Sequence, residues 1–363
     1  MTAKIDLADC PSPIWLPGGH LQTIYSAYIA RHHRIAFVRE RINTPDGDFL
    51  DLDWTAPGLF ADKLASGATA PHDAQLQKTA ARRWMQDDDW ANLSQASNTQ
   101  ALVLFHGLEG SSQSHYAQSI AQYFRARGWA VVVAHFRSCS GFPNRMARTY
   151  YSGDSAEIQF ILNTVRERLP QLAWHTVGVS LGGNALLKHL GEQAENTSWL
   201  RAAAAISVPM DLVSCGQALS DRPIGKWVYS PHFLKSMKAK VLEKSKRFPG
   251  MIDVLRLGLS KTLRDFDDVY TAPMHGYKNA LDYWTQSSSK PLLPNIAVPT
   301  LILNTKNDPF IPAESLPRPQ DCSDAVLLHQ PEQGGHVGFT TGAFPGTIHW
   351  LPTRIARFFE TGT

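Results

Sequence analysis

A serine between two glycines, in the segment Gly178-Val179-Ser180-Leu181-Gly182, is the feature of this chain best suited to chemistry. The pattern G-x-S-x-G is typical of a nucleophile elbow, a sharp strand-to-helix turn that lifts a serine hydroxyl clear of a sheet. Its surroundings fit, because an apolar, β-branched run (175–179) precedes the turn and a helical pattern (184–190) follows it. Such a turn strains the backbone and brings the strand close to the helix, so small residues are needed beside the serine. We therefore predict that Ser180 is a nucleophile.

A serine hydroxyl needs a base that takes its proton and a carboxylate that orients the base. Asp308 follows a predicted strand (300–304), and His336 lies in a glycine-rich loop after the last predicted strand (325–329). Loops at the carboxyl ends of parallel strands lie along one edge of a sheet, which favours Ser180, Asp308 and His336 as a catalytic triad. The weaker alternatives for the acid and the base are Asp321, Asp324, His329 and His349.

A developing oxyanion needs two backbone N–H groups aimed at it. One is expected from Leu181, the residue after the nucleophile. The other is expected from the loop His106-Gly107-Leu108-Glu109-Gly110, which follows the predicted strand 101–105, and Leu108 is the residue we predict as donor. A simple structural turn remains the alternative for His106 and Gly107.

The elements that must position these residues alternate between strand and helix patterns, which predicts an α/β fold with a mostly parallel sheet flanked by helices. We expect a single domain over residues 1–363. The predicted strands are 35–42, 49–54, 101–105, 130–134, 175–179, 202–208, 300–304 and 325–329.

Two regions interrupt the alternation. Residues 57–100 are rich in Ala, Asp and Gln and contain no predicted strand, so we interpret them as a surface insertion. Residues 210–299 carry helical, Lys-rich stretches and several aromatic side chains, again without a predicted strand. They lie between the sixth and seventh predicted strands.

Composition excludes several other classes of protein. The chain has 363 residues, 43% of them hydrophobic, and a formal net charge of +3, which is too small to predict binding to nucleic acid or to an anionic membrane. Its four cysteines are far apart and form no C-x-x-C pair, which is typical of reduced thiols in a cytoplasmic protein. No signal segment, stable membrane anchor or metal-ligand spacing is evident, so we predict no metal and no cofactor.

These residues resemble the YheT-like branch of the α/β-hydrolases, a family of carboxylesterases. The segments that carry the resemblance include 19–23, 45–49, 105–111, 136–141, 143–145, 151–153, the elbow with Gly183-Asn184, 265–268, 275–276, 307–310 and 334–339. The resemblance implies an α/β-hydrolase fold in which residues 210–299 form a helical cap region over the site. It also places the triad on Ser180, Asp308 and His336. It also implies esters or acylglycerols as substrates. The residues expected to be buried structural anchors around the site are Arg137, Cys139, Arg145 and Asp267.

The function predicted from the sequence is hydrolysis of carboxylic esters through an acyl-enzyme on Ser180. Acyl transfer to an alcohol uses the same acyl-enzyme and stays an alternative, as some relatives of the family act in this way. A hydrolase fold that serves only as a binding module is the third possibility, and a complete triad argues against it. The oligomeric state and the acyl-chain length are left open.

Overall fold

The computed structural model describes residues 2–31, 34–61, 73–96 and 99–363. Its described part contains ten strands in one sheet, in the spatial order β1-β10-β9-β8-β7-β5-β6-β3-β2-β4. The strands are β1 (Lys4–Asp6), β2 (Phe37–Asn43), β3 (Phe49–Thr55), β4 (Ala81–Trp84), β5 (Gln100–Phe105), β6 (Ala130–His135), β7 (Ala173–Val179), β8 (Ala202–Ile206), β9 (Thr300–Leu303) and β10 (Val326–His329).

The central strands are parallel, and the segments between them cross over through helices that cover both faces of the sheet. Strands β6, β8, β9 and β10 are buried along their whole length, as expected of strands covered by helices on either side. Only β3 runs antiparallel to its neighbours, and it pairs with β2 across a tight turn in which Gly47 has a φ of 84°. The predicted fold class, an α/β fold with a mostly parallel sheet, is confirmed.

Helices cover both faces of this sheet. The helices are α1 (Gly19–Tyr28), α2 (Asp87–Ala96), α3 (His115–Ala126), α4 (Ser155–Arg168), α5 (Leu181–Gln193), α6 (Leu212–Asp221), α7 (Ser230–Arg247), α8 (Val254–Leu259), α9 (Leu263–Phe266), α10 (Ala272–Met274), α11 (Ala280–Ser287) and α12 (Trp350–Thr361). Apolar side chains of α4 and α5 belong to the core on one face, whereas those of α3 and α12 belong to the core on the other. The sheet is therefore fixed between two layers of helices, which holds its carboxyl edge rigid.

The prediction that residues 57–100 form a surface insertion without a strand is wrong in one respect, because these residues contribute a strand to the sheet. Strand β4 pairs in parallel with β2 and forms an edge of the sheet. Leu76, Ala81 and Leu93 are fully buried, so this part of the segment packs into the core. The part of the predicted insertion at 62–72 lies outside the described residues.

Residues 210–299 contain helices α6 to α11 and no strand. They lie between β8 and β9, which are the eighth and ninth strands along the chain. The prediction counted these two strands as the sixth and seventh because it did not include β1 and β4. This region has a small apolar cluster of its own, which includes Leu234, Val241, Leu257 and Phe266. The cluster explains how the region keeps its shape above the sheet.

Candidate active site

Ser180 occupies the turn between β7 and α5, with φ 52° and ψ −120°. A positive φ is strained for a residue with a side chain, and the turn is held by a hydrogen bond of 2.8 Å from Ser180 N–H to Ile206 O. The flanking residues, Gly178 and Gly182, must be glycines because neighbouring backbone atoms approach them closely. A Cβ at Gly182 would lie 2.4 Å from the carbonyl oxygen of His106, and one at Gly178 would lie 2.6 Å from the Cα of Gly183. The backbone therefore presents the Ser180 hydroxyl at the carboxyl edge of the sheet.

The structure brings Ser180, Asp308 and His336 together. His336 Nδ1–H donates to Asp308 Oδ2 at 2.7 Å, which fixes the tautomer and leaves Nε2 unprotonated. Nε2 lies 3.1 Å from Ser180 Oγ and can accept its proton. The second oxygen of the buried Asp308 carboxylate accepts the backbone N–H of Phe310 at 2.8 Å, so the carboxylate is held on both sides. This geometry is suited to the predicted roles of nucleophile, base and orienting acid.

The alternative acid and base candidates have other partners. Asp321 caps the short 3₁₀ turn beside it by accepting the backbone N–H of Arg318 at 2.9 Å. His329 Nε2–H donates to Ala8 O at 2.7 Å, and its Nδ1 accepts from Arg354 at 3.0 Å. None of Asp321, Asp324, His329 and His349 is among the described residues that line the cavity at Ser180.

Two backbone N–H groups next to Ser180 are suited to bind an oxyanion. In the loop after β5, the N–H groups of Gly107 and Glu109 donate to Tyr116 Oη and Tyr150 Oη, both at 2.8 Å. The N–H of Leu108 between them has no acceptor within the described part of the chain. Leu181 is the first residue of α5, where an N–H has no partner within the helix. Both leucines line the cavity, so their role as oxyanion donors stays a prediction that the geometry allows.

His106 holds the loop of Leu108 in place and is not free to act as a base. The ring is fully buried, Nδ1–H donates to Gly107 O at 2.8 Å, and Nε2 accepts from Phe136 N–H at 3.1 Å. Burial lowers the pKa of His106 to about 3, so the ring is neutral at physiological pH. Its role is therefore structural.

Helix α1 supports the loops of the acid and the base, a role that sequence analysis missed. Thr23 Oγ1 accepts the backbone N–H of His336 at 2.9 Å. Gln22 Oε1 accepts both Gly334 N–H (2.9 Å) and Asn307 Nδ2 (2.8 Å). The only sequence signal was that residues 19–23 belong to the segments that resemble the YheT-like hydrolases, and that signal did not reveal the contact.

Gly19 offers a test of this support. A Cβ at Gly19 would lie 1.8 Å from the carbonyl oxygen of Asn307, so Gly19→Ala must displace the loop that carries Asp308. We expect ester turnover to fall by roughly 10²-fold, because small misplacements of catalytic groups cost this much, with little change in circular dichroism. Gly258→Ala is the matched control, since no atom lies within 4 Å of its added Cβ. Wild-type kcat in Gly19→Ala would show that α1 does not position the acid.

Ser180 opens into a cavity of about 510 Å³ between the sheet and helices α6 to α11. Part of its lining consists of buried side chains such as Phe266, Tyr270 and Trp284, and we call this part the inner end. The exposed side chains Ile24 and Tyr28 of α1 line the part that we call the exposed end. This size and apolar lining suit a small-molecule ligand with an acyl chain.

The residues expected as buried anchors differ among themselves. Arg137 is buried and forms ion pairs with Asp48 at 3.1 Å and Glu157 at 2.6 Å. Asp267 lines the cavity, accepts from Trp284 Nε1 at 2.8 Å, and has a pKa raised to about 6 by burial. The expectation is wrong for Arg145, which is exposed.

Cys139, the remaining expected anchor, lies half-buried beside an ion pair that joins the loop of Leu108 to the cap region. Glu109 Oε1 accepts from Lys240 Nζ of α7 at 2.8 Å and from Tyr150 Oη at 2.9 Å. Cys139 Sγ lies 3.5 Å from the same Nζ. Both charged residues line the cavity, so α7 is tied to the loop that carries Leu108.

Two features are absent from the described residues. They contain no group of three His, Cys, Asp or Glu side chains placed to hold a metal ion. None of the described helices combines the length and the apolar composition that crossing a bilayer requires.

The fold and the Ser–His–Asp geometry define the class of protein. A family model described as "alpha/beta hydrolase fold" matches residues 226–343. Two solved structures share the fold at low identity: DcsB in complex with its substrate analogue (TM-score 0.51, 10% identity, 90% of this chain and 98% of that one) and Est1E from Butyrivibrio proteoclasticus with ferulic acid (TM-score 0.50, 11% identity, 88% and 98%). The chain is an α/β-hydrolase.

Sequence relatives define the family more narrowly. The chain is 34% identical to the Escherichia coli (strain K12) protein named "Putative esterase YheT", over 94% of this chain and 90% of that protein. It is 29% identical to a Saccharomyces cerevisiae monoacylglycerol lipase (95% and 79%) and 26% identical to the human phospholipase ABHD3 (96% and 77%). The chain belongs to the YheT family of α/β-hydrolases, as the sequence resemblance predicted. These relatives are named for ester hydrolysis, and this chain is a hydrolase.

Proposed function

We propose that this protein hydrolyses carboxylic esters through an acyl-enzyme on Ser180. The observation that carries the proposal is the continuous hydrogen-bonded series from Asp308 through His336 to Ser180, which ends inside an apolar cavity. The names of the relatives support substrates with an acyl chain, such as monoacylglycerols or phospholipids.

The reaction begins when Ser180 Oγ attacks the ester carbonyl carbon while His336 Nε2 takes the hydroxyl proton. Negative charge develops on the carbonyl oxygen, where the N–H groups of Leu108 and Leu181 stabilise it. The C–O bond to the alcohol then breaks, and His336 returns the proton to the leaving oxygen. Asp308 stabilises the imidazolium formed in between.

The second half of the reaction repeats these steps with water. His336 takes a proton from the water, whose oxygen attacks the acyl carbon, and the bond to Ser180 Oγ breaks as the serine regains its proton. The acid leaves the cavity, and Ser180 is restored without any cofactor.

The leaving oxygen must lie near His336 Nε2, which places the alcohol portion of the ester on the side of the triad histidine. The backbone of that histidine is bound to Thr23 of α1, next to the exposed end of the cavity. The acyl chain then extends toward the inner end, among Phe266, Tyr270 and Trp284. This orientation is part of the proposal.

The fate of the acyl group distinguishes hydrolysis from the competing proposal, acyl transfer to an alcohol. With a short-chain ester and rising ethanol, a hydrolase should give an ethyl ester fraction that only tracks the molar ratio of ethanol to water. We expect free acid as the main product at low millimolar ethanol, measured by chromatography of both products. Ethyl ester as the main product under these conditions would instead identify a transferase, because only a specific, dry alcohol site can outcompete water.

A further inference from the structure

The exposed end of the cavity is surrounded by large apolar side chains that face solvent. On α1 these are Leu21, Ile24 and Tyr28, and Tyr28 is 69% exposed. On the facing part of the cap region they are Ile224, Trp227 and Val228, and Trp227 is 70% exposed. We call these six residues the apolar rim. Exposed side chains of this size are costly in water, and clusters of them mark binding surfaces.

The two halves of the apolar rim form one surface because α1 touches the cap region. His20 Nδ1 lies 2.9 Å from Tyr229 Oη, and the two rings are stacked. Tyr28 Oη lies 3.4 Å from His232 Nε2 at the start of α7. The rim is thus continuous across the junction of two elements that are far apart in sequence.

The cavity of Ser180 opens within this surface. Ile24, Tyr28 and Val228 belong both to the apolar rim and to the lining of the cavity. An acyl chain that enters here passes from one apolar surface directly to another and reaches His336, whose backbone is bound to the neighbouring Thr23. A substrate dissolved in water would gain nothing from a rim of this kind.

The two segments that carry the rim contain basic residues and no acidic ones. Residues 10–39, which include α1, and residues 222–242, which include Trp227, contain no Asp or Glu. They carry the exposed bases Arg31, Arg34 and Lys235, and Lys226 Nζ lies 5.5 Å from the centre of the Trp227 ring. Acids from other segments face some of these bases. Glu314 pairs with Arg222 at 3.4 Å, and Glu109 pairs with Lys240 at 2.8 Å. The charge of Lys226 contributes to lowering the pKa of Asp265. The small net charge of the whole chain therefore conceals a local excess of positive charge.

We propose that the apolar rim docks reversibly on the surface of an anionic lipid bilayer, so that acyl esters pass from the lipid into the cavity. The apolar side chains enter the boundary between headgroups and acyl chains, and the bases contact anionic headgroups. This inference rests on the proposed function for its substrate but not for the docking itself. Docking of this kind is peripheral and needs no membrane-spanning segment.

The binding experiment uses vesicle flotation with phosphatidylcholine vesicles that contain about 30% phosphatidylglycerol, and pure phosphatidylcholine vesicles for comparison. The variant is Leu21→Glu combined with Trp227→Glu, because both residues are exposed and neither lines the cavity. We expect the variant to lose vesicle binding by about tenfold or more and wild-type binding to weaken as salt is raised. Phe60→Glu is the matched control, an exposed aromatic residue after β3 and outside the rim, and it should bind as wild type.

Activity is measured separately from vesicle binding, so that the docking proposal and the proposed function are tested independently. The Leu21 and Trp227 variant should hydrolyse a water-soluble short-chain ester at the wild-type rate and lose turnover of long-chain monoacylglycerol held in the vesicles. Ser180→Ala should float with vesicles as wild type does, because docking needs no turnover. If wild type shows no esterase activity yet floats in a rim-dependent way, the docking holds and the proposed function falls.

Three results would overturn the docking proposal. The first is wild-type protein that does not float with the anionic vesicles while it hydrolyses soluble esters. The second is a rim variant that floats as well as wild type. The third is light scattering that shows a dimer disrupted by the rim variant, without vesicle binding, since the rim would then be a contact between two copies of this chain.

Discussion

Ser180→Ala is expected to reduce ester turnover by roughly 10⁴-fold or more while the protein stays folded, because removal of the nucleophile removes the covalent route. The alanine retains the Cβ that the strained turn already accommodates, and the hydroxyl's single hydrogen bond to His336 Nε2 is long at 3.1 Å. The melting temperature should therefore change little. The measurement is kcat/KM on a short-chain ester with wild type purified in parallel.

Labelling provides the independent check on Ser180. A serine-directed phosphonate should modify wild type at Ser180 and leave the alanine variant unmodified, as detected by mass spectrometry of the peptide that contains the elbow. If folded wild-type protein does not take up the label, both proposed enzyme activities, hydrolysis and acyl transfer, are contradicted. Near-wild-type turnover in a pure Ser180→Ala preparation would place the nucleophile elsewhere.

Asp308→Asn is expected to reduce kcat by on the order of 10³–10⁴-fold, slightly less than Ser180→Ala reduces turnover, because it reverses the tautomer of His336. An asparagine amide can donate to Nδ1, which moves the ring proton to Nε2 and leaves Ser180 Oγ without an acceptor. Because Asp308 Oδ1 also accepts Phe310 N–H at 2.8 Å, an amide oxygen can keep that contact and the loop should stay in place. KM should change far less than kcat.

Asp321→Asn is the control for this prediction. Asp321 was one of the two alternative acids predicted from the sequence, with Asp324, and it pairs with Arg318 instead of contacting His336. Its substitution should leave kcat unchanged. Equal loss in the Asp308 and Asp321 variants would mean that neither carboxylate acts through the histidine.

The positions of the three triad residues could be predicted because each one follows a recognisable strand. The runs before Ser180 and Asp308 are short, apolar and bounded by turn residues, and the glycine-rich loop of His336 follows the last strand. In a parallel sheet the loops after such strands lie along one edge, so the order along the chain is enough to bring the residues together. No such rule predicts the contact of Gln22 with Gly334, whose positions are 312 residues apart.

The edge strands were missed because their local sequence does not resemble a strand. The segment Ala81-Arg82-Arg83-Trp84 has two adjacent arginines, which do not fit an apolar alternation. Tertiary contacts make it a strand: Arg83 is buried in an ion pair with Asp89 of α2, and Trp84 Nε1 donates to Asp73 at 2.9 Å. Strand β1 has only three residues, Lys4–Asp6, too few for any periodicity to appear.

The contact between α1 and His336 also determines when, during synthesis of the chain, the site can be completed. Gln22 is made 312 residues before Gly334, and Thr23 is made 313 residues before His336. At about 5–20 residues per second, a ribosome needs on the order of 15 to 60 seconds to make the chain between them. During that time the elbow of Ser180 can form on the growing sheet, but its base does not yet exist. Under the proposed mechanism, a nascent chain is therefore inert toward esters until His336 has been made and has met α1. The onset of activity then marks the moment at which these two segments, distant in sequence, are in contact.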